Sequence, residues 1–275
     1  MSDARPSPTS DAAHRVVILC GPHTAHRNTC ATLIGAGLNV VGICMADQRK
    51  AGLPLPYLVK SVRQKGLLPT LSRASARIAY RLMDLGRDRA AMTRIFDEPA
   101  IEATLFNWNG PIHKTESFSA PETMEWLKAT DPDVFVVHTS YWVSKNVRSL
   151  PRTGIVLGGH PGITPHYRGS HSAFWAIYFG KLQDVGCTAF LLSDGVDTGD
   201  IVAQDRIPIA DGDSFITLSW KGMKRTAELQ AAAIADLDHG IPLTRKCSPV
   251  PANSEFDNPR LGEFLRYRWR QQRVR

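Results

Sequence analysis

The first fifty residues hold two short apolar runs that flank a segment with the length of a helix. The first run, HRVVILC at 14–20, ends at Gly21-Pro22. A helical segment at 24–37 ends at a glycine, and a second apolar run, LNVVGICMA, follows at 38–46. Strands joined by a crossover helix pair in parallel, because a tight turn can join only antiparallel strands. This pattern predicts the start of an open α/β sheet.

Further apolar runs, bounded by glycine, proline and acidic residues, extend the pattern along the chain. They predict strands at 101–106, 133–138, 155–157, 185–192 and 201–209. Helices are predicted at 119–129, where SAPE has the form of a capping box, at 172–179, and at 213–237, where Asp213 is the expected cap. The sequence therefore predicts an open, mostly parallel, Rossmann-like sheet with helices on both faces.

Residues 47–100 interrupt this alternation of strands and helices. Between 56 and 96 the segment is rich in Lys and Arg, and its apolar residues recur at helical spacing: Leu58, Val62, Leu67, Leu71, Ile78, Leu82, Met92 and Ile95. The spacing predicts two or three helices inserted into the α/β frame. Their apolar side is expected to pack on the body of the protein or on a second subunit, so a homodimer is a further expectation.

These patterns predict one α/β domain at 14–240 that contains the helical insertion. The Pro/Ser-rich residues 1–13 lack the apolar core of a signal peptide and are expected to form a disordered leader. Residues 241–275 are predicted to be a C-terminal extension with a basic tail. No apolar run approaches the ~18 residues of a membrane-spanning helix, so no membrane span is predicted.

The basic tail accounts for most of the net charge of +7. Residues 260–275 hold six Arg and one Glu, which leaves the rest of the chain close to neutral. Such a tail can reach the phosphates of nucleic acid, nucleotides or anionic lipid, or it can form a solvated helix that packs Leu265 and Trp269 on the body. A tail alone does not indicate a nucleic-acid-binding protein, so no nucleic-acid partner is expected.

The five cysteines are scattered along the chain and show no CxxC spacing: Cys20, Cys30, Cys44, Cys187 and Cys247. An odd number of cysteines without a regular spacing favours free thiols over a disulfide framework. Free thiols persist in a reducing compartment, so the predicted location is the cytoplasm.

The turn after the first strand, GPHTAHRN, precedes a helix, where α/β proteins often bind phosphate. It contains one glycine and matches neither GxGxxG nor GxxxxGK[ST]. Two interpretations stay open: His23, His26 and Arg27 face a phosphate, or the turn only connects the strand to the helix.

The stretch 155–200 carries the residues best suited to catalysis. The apolar run 155–157 ends in two glycines and His160, and a later loop holds Asp194 and Asp197. Loops that follow strand ends are where α/β proteins place their chemistry. His160, His166 and His171 are spaced by six and five residues, which matches no common zinc pattern, so no metal is expected.

Several segments of the chain resemble the 10-formyltetrahydrofolate-dependent formyltransferase family, which includes glycinamide-ribonucleotide, methionyl-tRNA and amino-sugar N-formyltransferases. The resemblance rests on HPGITPHYRG at 160–169, GCT at 186–188 and SDGVDTGDIVAQ at 193–204, supported by DPDVFVV at 131–137 and SLPRTGIV at 149–156. It is strong over about 130–210 and weaker over the first strand and helix. It implies a formyltransferase-like α/β fold and 10-formyltetrahydrofolate as the formyl donor.

The family's active site consists of an Asn, a His two residues later and an Asp in a second loop. The resemblance places His160 and Asp197 at the His and Asp positions, whereas Gly158 stands at the Asn position. In the family the Asn side chain hydrogen-bonds the formyl oxygen, and loss of one such donor typically costs ~10²–10³ in rate. Ser170, His171 or a backbone N–H is expected to take over.

The resemblance also implies the binding residues. Tyr141, Trp142 and Val143 would form the folate pocket together with Ser193, Asp194, Gly195 and Val196 of the second loop. Apart from the resemblance, Gly158, His166, Arg168 and His171 are the predicted contacts with the second substrate; for the last three the alternative is that they are surface residues of the turn.

Transfer of a formyl group to an amine requires one proton to leave the amine and one to reach the departing folate nitrogen. Histidine suits this task because imidazole titrates near neutral pH, and acid–base catalysis contributes ~10²–10⁴-fold. His160 is therefore the predicted proton shuttle, and Asp197 is expected to orient its ring and favour the charged form.

The expected substrate is a primary amine on a small molecule, and an amino-sugar, possibly nucleotide-linked, is preferred by elimination. Methionyl-tRNA enzymes carry a sizeable C-terminal barrel, whereas about 65 residues follow Ile209 here. Glycinamide-ribonucleotide enzymes lack an insertion like 47–100. Two alternatives stay open: a hydrolase that releases formate from the same donor, and a degraded member that binds folate or nucleotide without turnover. GGHPG also suggests a zinc deacetylase, but this sequence lacks the acids that such an enzyme is expected to have directly after His-Pro.

Overall fold

A seven-stranded sheet forms the centre of the computed structural model, which describes residues 13–47 and 55–273. Its strands are β1 (Val16–Cys20), β2 (Val40–Ala46), β3 (Ile112–Thr115), β4 (Val134–His138), β5 (Ile155–His160), β7 (Gly186–Leu191) and β8 (Ile201–Arg206). A separate pair joins the short strands β6 (Arg168–Gly169) and β9 (Glu255–Phe256). The predicted leader, except for its last residue, lies outside the described residues.

The order of the strands is β3-β2-β1-β4-β5-β7-β8. The first five strands of this order pair in parallel, and β5, β7 and β8 pair antiparallel. The prediction of an open, mostly parallel sheet is therefore confirmed. β5 lies at the boundary between the parallel and antiparallel parts, with β4 on one side and β7 on the other.

Helices cover both faces of the sheet, as predicted. The helices are α1 (Thr24–Gly35), α2 (Leu55–Lys65), α3 (Leu67–Met83), α4 (Leu85–Ile95), α5 (Glu98–Trp108), α6 (Pro121–Ala129), α7 (Lys145–Arg148), α8 (Ser172–Tyr178), α9 (Phe215–Asp238) and α10 (Leu261–Arg273). One face of β1 packs with α1 and α9 through Ile18, Leu33 and Ile234. Its other face packs with α6 and α7 through Leu19, Leu127 and Val147.

The predicted strand at 101–106 is wrong, because this segment lies within α5. Asp97 caps the helix by accepting a hydrogen bond from the N–H of Ala100 at 3.1 Å. Ile101 and Leu105 then face the core four residues apart, which is a helical and not a strand period. The strand of this region is β3, whose IHKT sequence is too polar to have been recognised.

The two predicted helix caps are also wrong in detail. The helix after residue 119 begins at Pro121, its N-cap Ala120 has no side-chain bond, and the hydroxyl of Ser119 contacts Ser144 instead. Ser214, one residue after the expected Asp213, caps α9 and forms a capping box with Thr217. Asp213 accepts hydrogen bonds from Thr217 and Lys221 in the first turns.

The insertion forms three helices, α2, α3 and α4, in agreement with the prediction. Its packing differs, because Ala76 and Tyr80 of α3 face the body while four of the expected core residues are more than half exposed: Leu67, Leu71, Ile78 and Leu82. Met92 and Ile95 do pack on the body. The side chain of Leu58 lies outside the described residues. Burial of the four leucine and isoleucine side chains by a second subunit stays a prediction.

The basic tail forms α10, which packs on the body through other residues than expected. Phe264 and Tyr267 are fully buried, whereas Leu265 and Trp269 are about half exposed, at 52% and 51%. The Tyr267 hydroxyl accepts a hydrogen bond from the N–H of Phe215 at the start of α9. All five cysteines are free thiols. Among the described helices, none is both long and apolar enough to cross a membrane.

Two buried histidines, His26 and His138, lie beside the turn that follows β1. Their rings are 5.7 Å apart, and Thr29 contacts the Nδ1 atom of His138. Burial and the neighbouring His26 lower the pKa of His138 to about 3, and burial and His23 lower that of His26 to about 4. Arg27 pairs with Glu102 of α5. The turn therefore fits a plain strand-to-helix connection better than a phosphate site.

These histidines predict a loss of stability in mild acid. An unfolded histidine binds a proton below about pH 6.5, whereas folded His138 and His26 bind one only near pH 3 and pH 4. Lowering the pH from 7 to 5 therefore favours the unfolded state, by ~2 kcal/mol for each residue. Urea unfolding at the two pH values should show that the decrease is about 2 kcal/mol smaller in His138→Gln. The exposed His239→Gln is the control, and equal decreases in all three proteins would contradict the assignment.

Candidate functional site

A cavity of about 220 Å³ opens at the ends of β4 and β5. It is lined by Val137, Thr139, Ser140, Tyr141, Trp142, Val143, Gly158, Gly159, Phe190, Leu192, Ser193, Gly195, Val196 and Asp197. Valine, phenylalanine and leucine side chains form its inner wall, and hydroxyl groups and one carboxylate lie at its edge. A cavity of this kind suits a planar ligand held by a few polar contacts.

His160 is the last residue of β5 and is almost fully buried. Its Nε2 atom lies 2.7 Å from the carbonyl oxygen of Tyr167 and 2.7 Å from the hydroxyl of Ser172. A carbonyl oxygen can only accept, so Nε2 carries a hydrogen. In the neutral ring the lone pair is then on Nδ1, which lies 3.3 Å from the Oδ2 atom of Asp197.

Asp197 is held in place by the backbone around it. It adopts a left-handed conformation, with φ of 49°, which Asp tolerates better than most residues. Its Oδ2 atom accepts a hydrogen bond of 2.9 Å from the N–H of Gly169. The carboxylate therefore faces Nδ1 from a fixed position.

The His160–Asp197 pair can accept and hold a proton at the edge of the cavity. The lone pair on Nδ1 is the only basic position of the neutral ring, because Nε2 is already protonated. Once Nδ1 takes a proton, the nearby carboxylate stabilises the resulting imidazolium. This arrangement suits general acid–base chemistry. Among the described residues, no group of three His, Cys, Asp or Glu side chains is arranged to hold a metal ion.

Six of the seven predicted folate-binding residues line the cavity: Tyr141, Trp142, Val143, Ser193, Gly195 and Val196. Val143 is also buried in the core, whereas Trp142 is 62% exposed and covers the cavity edge. Asp194 does not line it. Its carboxylate points to solvent and pairs with Arg148, which lowers the pKa of Asp194.

The four predicted contacts with the second substrate do not lie together. Gly158 lines the cavity. His166 is exposed on the loop surface. Arg168 is buried and donates hydrogen bonds to the carbonyl oxygen of Val196 and the hydroxyl of Ser254, so it links the Asp197 loop to the C-terminal extension. His171 lines a different cavity, which excludes it as a donor to a formyl group bound beside Gly158.

An asparagine at position 158 would require the side chains of Leu192 and Phe190 to move. A Cβ atom on this residue would lie 2.3 Å from the Cδ1 atom of Leu192 and 2.9 Å from the Cζ atom of Phe190. Both distances are far below van der Waals contact. Two apolar side chains thus occupy the volume that the family's Asn would need.

Several residues of the site were not recognised from the sequence. Thr139 and Ser140 line the cavity directly after β4, and their position after a buried strand was the available signal. Tyr167 and Ser172 hold the ring of His160. No sequence signal marks these two, because one contributes only a backbone carbonyl and the other begins a helix.

The family model of the Formyl transferase domain matches residues 84–235, which is more than half of the chain. A methionyl-tRNA formyltransferase of Synechococcus sp. (strain JA-3-3Ab) is 32% identical over 133 residues, which cover 48% of this chain and 39% of that protein. The chain spans about two fifths of the length of the curated relatives that it matches first.

Solved structures show the same fold at low sequence identity. Glycinamide ribonucleotide transformylase 1 from Symbiobacterium toebii is similar with a TM-score of 0.54 and 14% identity, over 90% of this chain and 100% of that chain. A sugar N-formyltransferase from Shewanella sp. FDAARGOS_354 is similar with a TM-score of 0.53 and 13% identity, over 92% of this chain and 87% of that chain.

Proposed function

The chain belongs to the formyl transferase family, and on this premise we propose that it transfers a formyl group from 10-formyltetrahydrofolate to a primary amine. The observation that carries the proposal is the pair His160–Asp197, whose Nδ1 and Oδ2 atoms lie 3.3 Å apart beside the cavity. The donor supplies the formyl group. Residues of the chain are assigned to proton transfer, to binding of the formyl oxygen and to binding of the folate ring.

His160 acts as the acid–base residue in this proposal. Its Nδ1 atom accepts a proton from the attacking amine, and the Tyr167 carbonyl keeps the ring in the tautomer that makes Nδ1 basic. Asp197, which lines the cavity, faces Nδ1 at 3.3 Å and stabilises the protonated ring. Such a residue contributes ~10²–10⁴-fold to the rate.

The formyl oxygen needs a hydrogen-bond donor other than residue 158. The hydroxyl of Thr139 is the best-placed group, because it lines the cavity and its oxygen already accepts the N–H of Tyr141 at 3.1 Å. Its own hydrogen can therefore point to a ligand. Ser170 does not line the cavity, and Thr139 is one of several lining residues that carry a side-chain donor.

The folate ring fits the cavity between the 141–143 segment and the 193–197 loop. Its size of about 220 Å³ and its wall of Val137, Phe190 and Leu192 suit a planar heteroaromatic group. Trp142, exposed at the edge, is placed to stack on such a ring. The Arg168 bond to Val196 holds the loop over the ligand.

An amino-sugar, possibly linked to a nucleotide, is the amine substrate that we favour. The fold resembles that of a sugar N-formyltransferase over 92% of the chain and that of a glycinamide ribonucleotide transformylase over 90%. The preference for an amino-sugar therefore rests on the helices α2, α3 and α4, an insertion that glycinamide-ribonucleotide enzymes are expected to lack. Free cysteines favour a reaction in the cytoplasm. The exposed apolar residues of α3 favour a homodimer.

A second candidate function is binding of folate without turnover, which the filled space at Gly158 favours. Leu192 and Phe190 leave no room for the family's Asn, and a site without its oxyanion donor loses ~10²–10³ in rate. Hydrolysis of the donor to formate is a related activity, because the His–Asp pair can activate water as well as an amine.

One experiment separates these three functions. The purified protein is incubated with 10-formyltetrahydrofolate and, in turn, with amino-sugar nucleotides, free amino-sugars, glycinamide ribonucleotide or no amine. Formylated amino-sugar and amine-dependent release of tetrahydrofolate are expected, detected by mass spectrometry and absorbance. Formate release without amine would show a hydrolase. Donor binding without either product would show a protein that only binds folate.

A further inference from the structure

A second and larger cavity, of about 590 Å³, lies between the helical insertion and the C-terminal helix. Helix α3, the start of α4, the start of α9 and α10 form its walls together with the segment at 258–259. None of its lining residues lines the cavity beside His160. The two cavities are therefore separate sites, and their functions can be tested independently.

Three arginines line the second cavity, and no acidic residue does: Arg77, Arg81 and Arg89. Among the ion pairs of the described residues, none involves Arg81 or Arg89. The acids near the cavity have other partners. Asp84 pairs with Arg87 and Arg268, Asp257 pairs with Lys65 and Arg73, and the buried Asp88 accepts the hydroxyl hydrogen of Tyr80. The positive charges of Arg81 and Arg89 are thus left for a ligand to neutralise.

Aromatic rings also line the same cavity. Tyr80 and Phe215 lie 5.7 Å apart, and the ring of His171 meets Phe215 edge to face at 5.2 Å. The Nε2 atom of His171 forms a hydrogen bond with the Oδ1 atom of Asn258. Burial lowers the pKa of His171, so this ring is neutral and can pack on another ring. A planar ligand group can therefore lie on this wall while its charged end contacts the arginines.

The size and chemistry of the cavity select one class of ligand. Small-molecule sites commonly have volumes of about 300–1,000 Å³. A fatty acid carries a single charge and no ring, whereas inorganic phosphate leaves the aromatic wall uncovered. A nucleoside diphosphate has two or three negative charges for the guanidinium groups and a base for the aromatic wall.

We propose that this cavity binds a nucleoside diphosphate, with the phosphates on Arg77, Arg81 and Arg89 and the base against Phe215 and Tyr80. The proposal goes beyond the formyl-transfer site and does not depend on it. A nucleotide in this cavity contacts none of the residues assigned to the reaction. Binding, and not turnover, is therefore the quantity to measure.

The test is isothermal titration calorimetry of the full chain with ADP, UDP, inorganic pyrophosphate and adenosine. ADP or UDP is expected to bind more tightly than either pyrophosphate or adenosine, because only the nucleoside diphosphates contact both the arginines and the aromatic rings. The double variant Arg81→Glu/Arg89→Glu should bind at least ~100-fold more weakly, since two charge-assisted contacts become repulsive. Both residues are exposed, so circular dichroism is expected to show an unchanged fold.

A matched control has the same change of charge on the same insertion. Arg63 and Arg94 are exposed and do not line the cavity, so Arg63→Glu/Arg94→Glu is expected to bind ADP as the wild type does. ADP binding should also survive His160→Ala, which separates this site from the catalytic cavity. Absence of nucleotide binding, equal affinity for pyrophosphate and ADP, or equal weakening in the control variant would each overturn the proposal.

Discussion

Replacement of His160 by alanine is expected to abolish formyl transfer. The substitution removes the basic Nδ1 atom that faces Asp197, a residue of the cavity lining, and it leaves that carboxylate without its partner at 3.3 Å. The expected loss in kcat is ~10²–10⁴-fold, which is the usual contribution of an acid–base residue. Single-turnover measurement of product at saturating donor and amine checks this expectation, and donor affinity should change little.

Two controls make the result specific. His239 is exposed at the end of α9, and His239→Ala should retain wild-type turnover. Urea unfolding should show that His160→Ala still folds cooperatively, although it loses the contacts to Tyr167 and Ser172. Unchanged turnover in a folded His160→Ala protein would rule out the proposed mechanism.

Introduction of the family's asparagine at position 158 is expected to harm the protein. The new Cβ atom would lie 2.3 Å from Leu192 and 2.9 Å from Phe190, so these side chains must move. Overpacking of this kind typically costs ~1–3 kcal/mol in the free energy of unfolding. Gly158→Asn alone is therefore expected to unfold at lower urea concentration and to gain no activity.

Truncation of Leu192 to alanine should restore part of the stability that Gly158→Asn loses. In Gly158→Asn/Leu192→Ala the amide has room to reach the cavity, so the double variant should be more stable than Gly158→Asn. Its turnover should exceed that of the matched single variant Leu192→Ala, by up to ~10²-fold if the amide supplies an oxyanion contact. A fully stable and highly active Gly158→Asn protein would show that the site is not closed by Leu192 and Phe190.

The sequence was sufficient for those parts of the fold in which burial and backbone period agree. The sequence predicts β1 and β2 because their apolar runs are short and continuous. It predicts α1 because the segment between them follows Gly21-Pro22 and ends at a glycine. The segment 101–106 was misassigned because its apolar residues suit a strand, whereas the cap at Asp97 selects a helix. Helical spacing predicts which apolar residues share one face of α3. It does not show which other surface packs against that face, so the exposure of these residues could not be predicted.

For the candidate site, the sequence indicated residue types but not their environment. His160 and Asp197 were identified because a His-Pro turn and a GVDTGD loop occur together, and the structure places them 3.3 Å apart. Gly158 was identified as a departure, but its cause lies in Leu192 and Phe190, which are over thirty positions away in the chain. Arg168 is a predicted substrate contact, yet the structure buries it.

The orientation of the His160 ring restricts the route by which protons can move. Its Nε2 atom faces the carbonyl oxygen of Tyr167 and the hydroxyl of Ser172 in the protein interior, so Nδ1 is the nitrogen left to exchange protons with the substrates. Under the proposed reaction a single nitrogen must both receive the proton of the amine and return one to the leaving group. The attacking and departing nitrogens must then approach the same edge of the imidazole in turn, which requires both substrates to enter from one side.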